Sequence, residues 1–79
     1  GRSKYMTTTA KTILRFEIRT VTDNGIPSDI VLDRAATIGY AEQVANAERP
    51  HNPHGVCILD TVDRLIFYRD RTEWYDDSP

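Results

Sequence analysis

Apolar and polar residues alternate from Ile13 onward. Leu14, Phe16 and Ile18 share one parity, and Arg15, Glu17 and Arg19 the other. Side chains alternate faces along an extended chain, so this pattern predicts a half-buried strand over about Lys11 to Val21. Asp23-Asn24-Gly25 interrupts it with residues that tolerate positive φ, a tight-turn signal. A return strand is expected through Ile30, Val31 and Leu32. Pro27 removes one backbone donor on the way, so this strand should be short and sit at a sheet edge.

A helix is predicted from Asp33 to Glu48. The Asp33 carboxylate is placed to cap it, with Ser28 as a rival cap. Tyr40, Val44 and Ala47 recur at i, i+4 and i+7, and Ala36, Ala41 and Ala45 widen the same apolar face. Gly39 weakens the helix and Pro50 ends it. Pro50 to Gly55 holds two more turn-formers, Pro53 and Gly55 itself, and must be a loop.

Val56 to Leu59 and Arg64 to Arg69 read as two strands joined by the polar turn Asp60-Thr61-Val62-Asp63. Both are apolar on both parities. One helix covers only one face of a small sheet. Leu14, Phe16 and Ile18 are expected to face the helix with one set of the hairpin's side chains. The other set, around Leu59, Ile66 and Tyr68, needs another cover. Trp74 and Tyr75 folding back are the preferred cover, and a second copy of the chain is the alternative. The expected class is α+β, a small antiparallel sheet of three or four strands with one helix on one face, in the order β(β)αββ.

Length agrees with a single domain. At 79 residues, the chain buries only roughly 60% of its unfolded surface, so its core is thin. Residues 13–69 are read as the domain and 70–79 as an acidic, aromatic tail. Residues 1–5, ahead of the only methionine, Met6, read as a tag remnant, and 6–12 as a flexible Thr-rich arm. Apolar residues make up 39% of the chain and charged ones 28%, a globular balance. The Asp- and Arg-rich, lysine-poor composition suits a bacterium of high GC content or its phage.

Charge and cysteine usage narrow the function classes. Ten Lys and Arg against twelve Asp and Glu give a net charge of −2, without the positive excess expected of a nucleic-acid binder. Arg15, Arg19 and Arg64 are the only candidates for a basic nucleic-acid face, and Glu17 interrupts them. The single cysteine, Cys57, excludes an intrachain disulfide and fits a cytoplasmic location. No apolar run approaches the ~20 residues that span a bilayer, and no secretory signal is expected.

The sharpest chemical pattern is His51, His54, Cys57 and Asp60, in the spacing H-x2-H-x2-C-x2-D. All four side chains are zinc-ligand types. However, Cys57 and Asp60 lie on or beside a strand, where a step of three changes face. The expected reading is two loop histidines beside an inert buried thiol, with no metal, no cofactor and no catalytic residue. His54 is also the only nearby partner that would activate Cys57 as a nucleophile. The Asp60/Asp63 and Asp76/Asp77 pairs read as turn-forming and solvated. What remains is a non-enzymatic accessory or regulatory module that binds protein and forms a homodimer. Leu59, Ile66, Tyr68, Trp74 and Tyr75 are its candidate contact residues.

Overall fold

The computed structural model describes residues 13–74. The proposed tag remnant and arm, and Tyr75, lie outside them. Strand β1 (Phe16–Val21) leads into β2 (Pro27–Ala35), followed by helix α1 (Ile38–Glu48) and a 3-10 turn at Arg49–His51. Three strands follow: β3 (Val56–Asp60), β4 (Leu65–Phe67) and β5 (Thr72–Trp74). They form one five-stranded sheet in the order β2-β1-β3-β4-β5, and every pairing is antiparallel.

The α+β class therefore holds, but the sheet has five strands and not three or four. The additional strand, β5, pairs Leu65 with Trp74 and Phe67 with Thr72, inside the segment read as a tail. The return strand is at an edge as expected, with Pro27 as its first residue. It is not short. Its nine residues run through Asp33 to Ala35, and two register shifts against β1 break its regularity.

Asp33 is therefore a strand residue and not the helix cap. Thr37 caps α1 instead, its Oγ1 accepting the Tyr40 N–H at 3.2 Å. The apolar face of α1 is also narrower than the sequence suggests. Ala41 and Ala45 are buried, Val44 half-buried, and Ala36, Tyr40 and Ala47 exposed. Small side chains at i and i+4 let the helix sit close to the sheet, which leaves the larger Tyr40 on its shoulder.

The core has two parts, as two-faced strands require. Phe16, Ile18, Ala35, Val56 and Ile58 meet Ala41 and Ala45 beneath the helix. Leu14 does not join them; it is 51% exposed because the chain enters the sheet only at Phe16. On the opposite face Cys57, Leu59 and Ile66 cluster, with Val21 and Tyr68 packed against them. The β1–β2 turn is closed by Thr22, whose N–H donates to Ile26 O at 2.8 Å. Gly25 takes φ +83° there, which its lack of a Cβ permits.

Candidate docking surface

Sheet and helix are unequal in width, and this difference creates the site. Five strands about 4.8 Å apart span roughly twice the ~10 Å breadth of one helix. Helix α1 lies over β2, β1 and β3. On the helix side, β4 and β5 extend beyond it. Strand register places Leu65, Phe67, Thr72 and Trp74 on that side, because Phe67 opposes Ile58 and Thr72, and Leu65 opposes Trp74.

The result is a hollow of about 550 Å³ between the last turns of α1 and the β4–β5 hairpin. Phe67 and Thr72 line one wall, Glu42, Asn46 and Arg49 the other, and Arg69 stands at its end. Trp74, two residues beyond Thr72 on the same face of β5, is 75% exposed. It does not fold back over the sheet. Its strand parity turns it to the helix side, whereas the face it was expected to cover is the other one.

That second face is already shielded in the single chain. Leu59 and Ile66 are each 6% exposed, and Tyr68 is half-buried. Glu17 and Arg19 stand beside Leu59 and Cys57 on the neighbouring strand. Their side chains form an ion pair across this face, Arg19 Nη2 lying 2.6 Å from Glu17 Oε1. The Arg71 guanidinium stacks 4.0 Å from the centre of the Tyr68 ring. Of the contact residues chosen from sequence, only Trp74 presents a large exposed apolar surface here, and Tyr75 lies outside the described residues.

The structure does not bring the four potential metal ligands together. His51 ends the 3-10 turn and His54 lies in the turn before β3; both are exposed. Cys57 is buried on the far face. Burial pushes its thiol up to about 11, against the lowering effect of Arg19, so it is protonated at neutral pH. Asp60 is committed elsewhere: Arg15 grips it with Nε at 2.9 Å and Nη2 at 2.7 Å. That grip holds the Asp60 carboxyl below its ordinary range, opposed by burial and assisted by the Val62 and Asp63 N–H groups. Among the described residues no three His, Cys, Asp or Glu side chains converge as a metal site would require.

The arginines also differ in what they face. Arg15 is held by Asp60 and Asp63, Arg19 by Glu17, and Arg64 also has an interaction of its own. The three do not form a bare basic face. Arg49 donates to Asn46 Oδ1 at 2.8 Å, and Arg69 forms no ion pair with another described residue. Both stand at the hollow, with His54 and Arg71 in a smaller adjoining depression, where Arg71 is ion-paired with Glu73. Sequence reasoning missed this basic rim. The four residues are spread over the helix end, a loop and the β4–β5 turn, and no linear pattern marks them. No helix among the described residues is long and apolar enough to cross a membrane. No protein-family model, curated protein or solved structure matches the chain significantly.

Proposed function

We propose that this protein is a small accessory or regulatory interaction module, non-enzymatic and cytoplasmic, that works by docking on protein and associates with itself as a dimer. The observation that carries the reading is the uncovered helix-side floor over β4 and β5. Trp74 is exposed on the same face of the hairpin as Phe67 and Thr72, which line a hollow that Arg49 and Arg69 also line. Exposed Trp and Arg are among the residues that dominate protein interfaces. The chemistry elsewhere favours this reading over a thiol or metal protein. Cys57 is a buried, protonated thiol, and Asp60 is tied to Arg15.

Site-specific photo-crosslinking in the cells that naturally express the protein tests the reading. A photoreactive side chain at position 46 or 72 is expected to give discrete protein adducts, while one at Asp23, on the β1–β2 turn, gives none. No adduct from either hollow position, or the same adducts from Asp23, would overturn it.

A further inference from the structure

We infer that the hollow and its adjoining depression form one trough that takes an extended segment of a protein partner, with an acidic side chain of that segment held between Arg49 and Arg69. This names the partner chemistry of the docking reading above and rests on it.

The trough is continuous. Arg49, Val56, Tyr68 and Arg69 line both the hollow and the smaller depression, so the two meet along these residues. The two arginines therefore stand at the junction, midway along the trough. An elongated trough suits an extended chain segment better than a compact ligand.

The charges at the junction are unspent. Arg15 is held by Asp60 and Asp63, Arg19 and Arg34 by Glu17, and Arg71 by Glu73. The Arg49 guanidinium, in contrast, donates only to the neutral Asn46 amide, and Arg69 forms no ion pair with another described residue. A guanidinium carries its N–H donors in a planar fork that matches a carboxylate. The end of α1 does not oppose an anion with bare carbonyls. Asn52 Nδ2 donates to Glu48 O at 2.7 Å, and the Asn52 N–H to Arg49 O at 3.2 Å.

Two carboxylates in the trough limit what else could lie there. Glu42 lines the hollow seven residues before Arg49, about 10 Å away along the helix axis. Asp70 lines only the smaller depression. A nucleic acid repeats its charge at every nucleotide and would meet Glu42 on one side of the junction and Asp70 on the other. A peptide can place a single acid at the junction and an apolar side chain in the hollow against Phe67.

Selection of a random peptide library on the full chain tests the proposal, with fluorescence anisotropy measuring the affinity of the enriched peptides. Far-UV circular dichroism confirms that each variant folds. Enriched peptides should carry an aspartate or glutamate beside a large apolar residue. Arg69→Glu and Arg49→Gln should each weaken their binding by about tenfold or more. Exchanging the peptide's acidic residue for lysine should restore binding to Arg69→Glu. Mixed-sequence single-stranded DNA should not bind. Peptides that bind without an acidic residue, or that are indifferent to both substitutions, overturn the arginine clamp and leave the docking reading in place. So does DNA binding that both substitutions abolish. A wild type that enriches no peptide overturns the proposal, and the photo-crosslinks from positions 46 and 72 then decide the docking reading by themselves.

Discussion

Ile18→Ala tests the placement of the core against the alternation seen in sequence. Ile18 is 0% exposed on a central strand, opposite Ile58 and beneath the helix. The substitution removes three carbons, worth about 2.4 kcal/mol in transfer free energy. The cavity adds roughly 1 kcal/mol, since β1 is held by a strand on each side and cannot collapse fully. A loss of about 3–4 kcal/mol follows. For a domain of 79 residues with total stability of about 4–12 kcal/mol, the variant should be marginal. Leu14→Ala is the matched control, because Leu14 shares Ile18's parity but is half exposed; it should cost under about 0.5 kcal/mol. Urea unfolding followed by far-UV circular dichroism measures both. A cost under about 1 kcal/mol for Ile18→Ala, or equal costs for the two, would refute the register of β1 against its neighbours.

Other expectations concern the cap and the two shifted groups. Thr37→Ala should cost about 1 kcal/mol through loss of the helix cap, whereas Asp33→Ala should leave helix content unchanged. The Cys57 thiol is about 11 in the fold and near ~8.5 unfolded, so the unfolded chain loses its proton first. Stability should therefore fall as pH rises from ~8.5 towards 11, by about 3 kcal/mol from this group, and Cys57→Ala should remove that share while leaving the slope due to Tyr68, whose phenol is also pushed up by burial. Asp60 has the opposite sign. Its folded carboxyl is held low by Arg15, so its contribution is complete above the unfolded value near ~3.9 and is lost as pH falls through the folded one. Asp60→Asn should flatten that part of the acid limb in pH-dependent urea titrations.

How much of the fold and the site is legible in the sequence depends on whether the signal is local. The alternation of Phe16 and Ile18 with Glu17 and Arg19 is local, and it marks the central strand and its buried face. The doubly apolar Val56–Leu59 and Leu65–Phe67 runs likewise announce two core clusters. The helix start is not legible, because Asp and Thr are both favoured caps and the better of the two, Asp33, is the one not used. Residues 30–36 also carry no period strong enough to separate strand from helix. Strand β5 has no alternation of its own; Thr72-Glu73-Trp74 is a strand because β4 offers it a partner. The Arg15–Asp60 grip joins residues 45 positions apart, and no spacing rule reveals it. The hollow is less local still, since it arises from one helix lying on a sheet wider than itself.

Trp74 provides the most direct test of the docking surface, because it is the only tryptophan and its emission reports that surface alone. Iodide quenching of its fluorescence should be strong in dilute protein, where the indole is open to solvent, and should decline with a blue shift as concentration rises and copies pair. Emission that is protected at every dilution would contradict its exposure in the single chain. Strong quenching unchanged up to millimolar protein would contradict self-association through this surface.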